Sequence, residues 1–464
     1  MPKGESKDKK EIPTIPKGMR DIYGDEHHKY QGFYEKAAEV ALYYGFQPID
    51  VPIMEREEVF TTTQSEDTDL VGKEMYTLKT KGGDKLALRP EGTAPIMRAY
   101  LENGMMAQPQ PIKLYYYGSF FRHENPQKGR YREFKQFGIE MIGSPKSVSD
   151  ATIIYLTAMI LREVGLENIV IDVNSIGDKE SRAPYIRELT TYYRKHINHM
   201  CADCKQRIKT NPLRLLDCKK PECQPFKEKA PQSIAHLSPL AKIHFKEVLE
   251  YLDALKLNYR INTNLVRGLD YYTHTVFEIS EVMPEKAPEV FADNTTQLEA
   301  TEDEKVRSKA KADKEEAANT PLSIGGGGRY DYLAKRMGSK KDVPAVGAAI
   351  GVDRVLMSPN YKAVMPRVVK KPKVYFIQLG FEAKLKSLEI IEILRNARIP
   401  VTHSLNKDSL SAQLGIAEKL QIPHAIIFGQ KEALDGTVIV RNMVTRSQDT
   451  MKIPKLPEFL KAMK

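Results

Sequence analysis

The sequence predicts an α+β protein with a helical insertion and a separate C-terminal α/β domain. Two strands joined by a polar loop are expected within residues 114–143, where aromatic and apolar residues precede Asn, Pro and Gly and then a second, alternating stretch. Residues 179–257 are mostly polar and helical in pattern, and they interrupt this arrangement. From residue 366 onward, strand-like and helix-like segments alternate, which is typical of a sheet flanked by helices.

These changes of pattern predict five segments along the chain. Residues 1–15 are a flexible N-terminal tail, and residues 16–178 form the first part of a core. Residues 179–257 are a helical insertion, residues 258–365 form the second part of the core, and residues 366–464 form the C-terminal domain. Within the second core part, residues 281–320 are polar, mixed in charge and rich in alanine. We expect them to form an exposed excursion that carries no chemistry.

Composition and termini indicate a globular protein of the cytoplasm. The chain has 464 residues, of which 41% are hydrophobic and 28% are charged, and its net charge is +10. No apolar run reaches the roughly 18 residues that a membrane helix needs, and the N-terminus has no apolar signal core. Membrane association is therefore not expected. The positive charge is compatible with a polyanionic partner, and equally with solubility alone.

The second strand of the predicted hairpin separates two faces by alternation. Its apolar face consists of Phe137, Ile139 and Met141. Its other face consists of Phe134, Gln136 and Glu140. A phenylalanine among polar groups is unexpected on a solvent-facing surface. A ring, an amide and a carboxylate together are what a ligand-facing surface needs.

The loop between the two strands is strongly basic. Its cations are Arg122, Lys128, Arg130 and Arg132, and Glu124 is the acid among them. This pattern indicates a site for a phosphorylated, flat-ringed ligand beneath a basic loop. An ordinary charged hairpin is the alternative interpretation.

Two further segments place single charged residues beside small ones. Glu91 lies in a sharp turn at residues 89–93, where Thr93 is a candidate helix N-cap. Glu91 is either a ligand-binding group or a helix-start carboxylate favoured by the dipole. Arg354 lies at the start of a helix that follows a strand of small residues, from where it could bind phosphate. The glycine run at residues 325–328 matches neither the P-loop nor the Rossmann spacing.

Arg267 is followed closely by Asp270, Tyr271 and Tyr272, which can bring a cation beside hydroxyl-tipped rings. Such a cluster can be either a buried polar network or part of a binding site. The spacing alone does not separate these two interpretations.

The four cysteines form two close pairs, Cys201 with Cys204 and Cys218 with Cys223. Close pairs joined by a short loop can supply four thiolates to Zn²⁺. The first pair has the usual spacing and the second is wider. Structural zinc and plain reduced thiols therefore both remain open, and no catalytic metal is indicated.

Several of these blocks together resemble the histidyl-tRNA synthetases, which are class II aminoacyl-tRNA synthetases. The segment RGLDYY at residues 267–272 looks like the family's histidine-binding signature, and residues 121–134 look like class II motif 2. The block at residues 346–354 resembles motif 3, and the strand that ends near Pro52 resembles motif 1. The resemblance covers roughly residues 16–280 and 321–455, and the excursion departs from it.

The resemblance implies a mixed antiparallel catalytic sheet with flanking helices, a C-terminal anticodon-binding domain and a homodimer. It implies that ATP with Mg²⁺ activates L-histidine and that the aminoacyl group is transferred to tRNA(His). The implied catalytic residues are Arg267 and Arg122. The implied ATP-binding residues are Arg122, Arg130, Phe134 and Arg354. The implied histidine-binding residues are Glu91, Gly92, Thr93, Gln136, Glu140, Tyr271 and Tyr272. The implied contacts to the tRNA acceptor end are Gln127 and Arg132.

Three other functions compete with this interpretation. A non-catalytic relative, such as the regulatory subunit of ATP phosphoribosyltransferase, typically lacks the C-terminal domain and parts of the histidine signature, which are both present here. A class II synthetase for another amino acid fits the RGLDYY block and Glu140 less well. An RNA-binding scaffold would explain the charge but leaves the pocket residues without a purpose.

Overall fold

In its structure, a computed structural model, the protein forms two compact units, Met1–Pro366 and Arg367–Lys464. The structure describes residues 12–64, 68, 70–282, 323–367, 372–404 and 408–463. Most of the tail predicted at residues 1–15 and of the excursion predicted at 281–320 lies outside these residues. None of the described helices combines the length and the apolar character that crossing a bilayer requires.

The first unit contains two sheets with helices around them. Its strands are β1 Gln47–Pro48, β2 Met54–Arg56, β3 Thr77–Lys79, β4 Lys85–Leu88, β5 Ile112–Phe121, β6 Glu133–Ile142, β7 Ile169–Ser175, β8 Tyr259–Ile261, β9 Thr273–Glu281, β10 Ser323–Arg329 and β11 Ala345–Gly351. Its helices are α1 Gly24–Tyr43, α2 Glu58–Thr61, α3 Thr93–Glu102, α4 Ser147–Glu163, α5 Lys179–Lys195, α6 Ala202–Thr210, α7 Gln224–Glu228, α8 Pro239–Ala254, α9 Leu333–Arg336 and α10 Val352–Leu356.

The larger sheet has eight strands in the order β1-β5-β6-β11-β10-β9-β7-β8. Neighbours from β5 to β7 are antiparallel, whereas β1 and β8 pair in parallel at the two edges. The mixed, mainly antiparallel sheet is therefore confirmed. The strand before Pro52, which resembles motif 1, is β1, and it lies at one edge of this sheet and is two residues long.

The hairpin predicted within residues 114–143 is β5 and β6, which pair along their whole length from Ile112–Ile142 to Phe121–Glu133. The apolar residues of β6 join the main core, where the Phe137 ring meets the Phe33 ring of α1 edge-on at 6.4 Å between centroids. This face is therefore covered by helices, which leaves the face of Gln136 and Glu140 free for other uses.

The glycine run forms β10, for which the sequence predicted no strand. Glycine is unfavourable in a strand because it loses much backbone freedom and has no side chain to pack. Here β10 lies between β9 and β11 and is hydrogen-bonded to both, so the two neighbours supply the ladder that local propensity does not.

Residues between α5 and α8 form a helical module with a core of its own. This core includes Tyr185, Leu189 and Tyr193 of α5 together with Leu215 and Leu216. The predominantly helical character predicted for residues 179–257 agrees with the elements seen there.

The second unit is an α/β domain. Its strands are β12 Val374–Gln378, β13 Val401–His403, β14 His424–Phe428, β15 Thr437–Asn442 and β16 Gln448–Lys452. Its helices are α11 Phe381–Asn396, α12 Leu410–Lys419, α13 Gln430–Asp435 and α14 Leu456–Ala462. The sheet order is β13-β12-β14-β15-β16, parallel in its first three strands and antiparallel in the rest. The predicted alternation of strands and helices is confirmed, while α13 and β16 were not predicted.

Candidate active site

The polar face of the large sheet is lined by residues with little or no side chain. On neighbouring strands they pair as Gly138 with Ala349, Ala349 with Gly326, and Gly347 with Gly328, and residues paired in this way share a face. We call this surface the glycine floor; it consists of Gly138, Gly326, Gly328, Gly347, Ala349 and Gly351. No bulky side chain projects from these positions, so side chains from the surrounding segments can lie flat on the backbone of the sheet.

Glu140 lies at one end of the glycine floor and is fully buried, at 0% exposure. Its neighbour across the ladder is Gly347, where an added Cβ would overlap the Glu140 carboxylate. Thr93 donates its hydroxyl to Oε1 over 2.9 Å, and Tyr330 donates its hydroxyl to Oε2 over 2.5 Å. Burial raises the pKa of Glu140 to about 8, although these two donors oppose the shift.

Glu91 lies two residues before the first residue of helix α3 and belongs to the same pocket. Its two carboxylate oxygens accept the backbone N–H groups of Thr93 and Ala94 over 2.7 and 2.9 Å. The hydroxyl of Tyr271 donates to it over 3.2 Å. Burial raises the pKa of Glu91, while Arg122 and the N–H donors counter this rise. Glu91 is therefore a helix-start carboxylate, and it also lies among the pocket residues.

The prediction that Thr93 is the N-cap of this helix is wrong. The N-cap is Gly92, and Thr93 is the first residue of α3. The side chain of Glu91 accepts the first N–H groups, which frees the Thr93 hydroxyl to reach Glu140. Gly92 is itself tightly packed, because a Cβ there would overlap the Tyr116 ring.

The segment at residues 264–272, which we call the arm, lays two side chains on the glycine floor. Added Cβ atoms at Gly326 and Gly328 would lie 2.7 Å from Arg267 Nη1 and 2.9 Å from Tyr272 Cδ1. Arg267 also donates from Nη1 to Glu278 Oε1 over 3.2 Å. The bare backbone of the floor is therefore what gives these two side chains room.

Tyr272 connects the charged groups of the pocket. Burial raises its pKa to about 12, Arg267 lowers it, and the carboxylates of Glu140 and Glu91 raise it further. Because such charge effects weaken with distance, all three charges lie near one hydroxyl group. The structure thus brings together the residues predicted from the RGLDYY block and from the polar face of β6.

A second group of charges, the arginine cluster, consists of Arg122, Arg130 and Arg354. Arg354 donates to the carbonyl oxygens of Gly129 and Ser323 over 3.0 and 2.6 Å, and the nearby carboxylates of Glu124 and Glu278 offset its charge only in part. Its pKa is lowered by burial and by the nearby charges of Arg130 and Arg122. Cations held this close together, with few carboxylates between them, favour binding of a polyphosphate.

Glu124 partly offsets the arginine cluster. It accepts from Arg130 over 3.4 Å and lies 3.9 Å from Arg122. The guanidinium of Arg122 is anchored by a 2.9 Å bond to the Pro90 carbonyl and lies 5.3 Å from the centre of the Phe134 ring. The Phe134 ring and the Arg122 guanidinium are therefore adjacent, and their contact with ATP stays a prediction.

Gln136 belongs to the polar face of β6 and pairs with Gly118 and Gly351, so its side chain shares the face of the glycine floor. The structure thus places it between the Phe134 position and the Glu140 position along one strand.

Gln127 and Arg132 lie in the loop between β5 and β6. The backbone of Gln127 bonds that of Arg130 in a tight turn, and its side chain is exposed. Arg132 donates to the carbonyl of Glu124 over 3.2 Å, and its own N–H bonds the carbonyl of Gly18 over 2.8 Å. Their contact with a tRNA acceptor end stays a prediction.

The sequence analysis missed two pocket tyrosines. Tyr330 follows the glycine run and is almost fully buried, with its hydroxyl on Glu140. Tyr116 lies on β5, and burial with the nearby Glu140 and Glu91 charges raises its pKa well above the usual value. Alternation along β5 could have placed Tyr116 on the polar face, opposite Gly138. The position of Tyr330 depends on the pairing of β10 with β9 and β11, which no local signal gives.

The four cysteines also converge. Their sulfur atoms all lie within 4.8 Å of one another, and three of the four residues are buried.

Comparisons with known proteins agree with the architecture. Residues 18–286 match the family model described as histidyl-tRNA synthetase, and residues 373–463 match the one described as anticodon binding domain. The chain is 38% identical to the histidine–tRNA ligase of Dehalococcoides mccartyi over 95% of this chain and 97% of that protein. It is also 38% identical to that of Caldicellulosiruptor saccharolyticus, over 96% of this chain and 98% of that protein.

A solved structure shares the fold. The apo histidyl-tRNA synthetase of S. aureus superimposes with a TM-score of 0.74 at 27% identity, covering 97% of this chain and all of that chain. Two family models, relatives of similar length and this fold agree with one another. The chain therefore belongs to the histidyl-tRNA synthetase family.

Proposed function

We propose that this protein activates L-histidine with ATP to histidyl-adenylate and then transfers the histidyl group to the 3′ end of tRNA(His). The observation that carries the proposal is the meeting of two groups of charges around the glycine floor. The arginine cluster is suited to phosphates, and the buried acids and tyrosines around Tyr272 are suited to a small polar ring.

The nucleotide half of the pocket would bind ATP as its Mg²⁺ complex. Arg122 and Arg354 would hold phosphate oxygens, with Arg130 assisting from the loop. The Phe134 ring beside Arg122 supports stacking of the adenine.

The amino-acid half would bind histidine between Glu91 and Glu140. Glu91, Thr93 and Gln136 would hold the α-amino group, with Gly92 and Tyr271 lining the site. Glu140 and Tyr272 would contact the imidazole. A buried carboxylate left without its N–H partner is costly, so this arrangement disfavours amino acids that lack a ring N–H.

The first reaction needs no general base, because the histidine carboxylate is already ionised. A carboxylate oxygen attacks the α-phosphorus of ATP, and the bond from that phosphorus to the bridging oxygen breaks, so that pyrophosphate leaves. Arg267, which lies on the floor between the two halves, would align the carboxylate with the α-phosphate and stabilise the charge that develops there. In the second reaction a ribose hydroxyl of the tRNA attacks the carbonyl carbon and AMP leaves.

The partners follow from the same proposal. The unit at residues 367–464 would bind the anticodon, the loop with Gln127 and Arg132 would meet the acceptor end, and residues 179–257 would form a separate insertion domain. A homodimer through the edge at β1 is supported by exposed large apolar side chains on either side of that strand, at Tyr43, Ile53 and Met54.

Amino-acid-dependent exchange between ATP and labelled pyrophosphate tests the proposal. We expect exchange with L-histidine and none above background with the other nineteen amino acids. Exchange with a different amino acid would overturn the substrate. Absence of exchange in protein that binds ATP would overturn the enzymatic function.

A further inference from the structure

The four cysteines of the helical module are brought together from two separate segments. Cys201 and Cys204 flank the start of α6, while Cys218 and Cys223 follow a 3-10 helix at Pro212–Asp217. All four sulfur atoms lie within 4.8 Å of one another, and those of Cys201 and Cys218 are 3.9 Å apart. A disulfide would need about 2 Å between the sulfur atoms, so this spacing is not that of a bridge.

The spacing fits one tetrahedral metal ion. A Zn–S bond of about 2.3 Å in a tetrahedron gives sulfur-to-sulfur distances of roughly 3.8 Å. The Cys201–Cys218 distance of 3.9 Å is close to this edge. Soft thiolate ligands in a closed set of four select Zn²⁺ in a structural role.

Backbone groups around the cluster are arranged to support thiolates. The N–H of Cys201 donates to Cys223 Sγ over 3.4 Å, and the N–H of Cys204 donates to Cys201 Sγ over 3.4 Å. Such donors stabilise negative charge on metal-bound sulfur and fix its orientation. Lys205, Lys219 and Lys220 neighbour the cysteines in sequence and would offset the negative charge of a tetrathiolate zinc site.

We propose that Cys201, Cys204, Cys218 and Cys223 bind one structural Zn²⁺ that holds the helical module together. The module's core is small, and small cores commonly depend on a metal for stability. Cys204, Cys218 and Cys223 are themselves members of that core, together with Leu213. This inference goes beyond the proposed function and does not depend on it.

The zinc site also has a structural path to the arm. Val266 of the arm packs against the module's core, and Arg182 Nη1 donates to the carbonyl of Tyr272 over 3.1 Å. A narrow cavity between module and arm is lined by Arg182 and Leu213 on one side and by Arg267 on the other. Loss of zinc would therefore loosen the arm as well as the module.

Elemental analysis of the full chain, purified without a polyhistidine tag or chelator, tests the site. We expect one zinc per chain, released in step with modification of four thiols by a mercurial. Because the chain has four cysteines in all, the thiol count reports on this site alone. Cobalt substitution should give the absorption bands of tetrahedral cobalt thiolate.

Two variants distinguish the effect of losing a zinc-binding cysteine from that of changing a neighbouring residue. Cys204→Ser should lose the zinc, whereas Asp203→Asn, in the same turn, should retain it. Hydrogen exchange of the wild type before and after zinc removal should show lost protection at residues 200–224 and at the arm. These readouts are independent of catalysis, so a failed exchange assay would not affect them.

Three results would overturn the inference. One is folded wild type with less than about a tenth of an equivalent of zinc, even after incubation with Zn²⁺, and with four freely reactive thiols. Another is iron in place of zinc. The third is unchanged hydrogen exchange after the metal is removed. If Cys204→Ser fails to fold, the measurements on the wild type still decide the question.

Discussion

The arginine cluster and the buried acids around Tyr272 lie on one sheet but are prepared for their ligands in different ways. Arg122 and Arg354 donate to neutral carbonyl groups, and burial together with the nearby charges of Arg130 and Arg122 lowers the pKa of Arg354. The acids are satisfied by hydroxyl and N–H donors in a place that water does not reach, as at Glu140. The arginine cluster is suited to its ligand by its net positive charge, whereas the buried acids are held in position by hydrogen bonds.

Because of this difference, we expect substitutions in the two halves of the pocket to impair different steps. Removing a cation should cost transition-state stabilisation and phosphate affinity, because the remaining charges no longer match the ligand. Disturbing the buried half should cost histidine affinity, because each group there is positioned by its neighbours. Arg267 lies beside Tyr272 and pairs with Glu278, a carboxylate that is also close to Arg354, so the loss of Arg267 should have the largest effect.

Arg267→Ala should lower the rate of histidine-dependent exchange between ATP and pyrophosphate by at least about a hundredfold, the scale of losing one group that stabilises a transition-state charge. Arg260→Ala is the matched control, because Arg260 is two-thirds exposed and pairs with Asp172 at the β8 edge of the sheet. Near-normal exchange by the Arg267 variant would refute its assigned role.

Gly347→Ala should raise the KM for histidine tenfold or more, with a smaller effect on the KM for ATP. The added methyl group would overlap the Glu140 carboxylate, and overpacking of this kind costs roughly 1–3 kcal/mol. Gly415→Ala is the control, since its added Cβ meets nothing within 4 Å. Equal changes in both KM values would argue that the floor does not belong to the histidine half.

Glu140→Gln should remove an ionisation from the pH profile of kcat/KM for histidine. Burial raises the pKa of Glu140 to about 8 in the free protein. The carboxylate is therefore protonated below pH 8 and accepts an imidazole N–H best above it. The wild-type value should rise through this pH by severalfold, and the variant should lack that step. Profiles of identical shape in the two proteins would contradict the assignment.

Arg132→Ala should have the smallest effect, a fewfold loss in aminoacylation with exchange reduced less than twofold. Its side chain lies in the exposed loop and donates to the Glu124 carbonyl, outside both halves of the pocket. Steady-state rates of the two reactions check this expectation. Equal losses in both would count against contact with the acceptor end.

Much of this arrangement was predictable from local patterns. Alternation along β6 placed Phe134, Gln136 and Glu140 on one face, and strand and turn residues predicted the long hairpin. The glycine run was not assigned to a strand, because its pairing comes from β9 and β11, which are distant in sequence. Tyr330 was missed for the same reason.

The helix start at α3 shows how a local rule can name the wrong atom. A threonine before an apolar run suggested an N-cap, yet the preceding carboxylate of Glu91 accepts those N–H groups. The competing tertiary contact from Thr93 to the buried Glu140 decides the outcome, and only the folded sheet reveals it.

The most direct test of the two-part pocket is calorimetric titration of ATP and of histidine into the wild type, Arg354→Ala and Glu140→Gln. We predict that Arg354→Ala weakens ATP binding about tenfold or more and leaves histidine binding nearly unchanged, and that Glu140→Gln does the reverse. Loss of both ligands to a similar extent in either folded variant would contradict the division of the pocket into two halves.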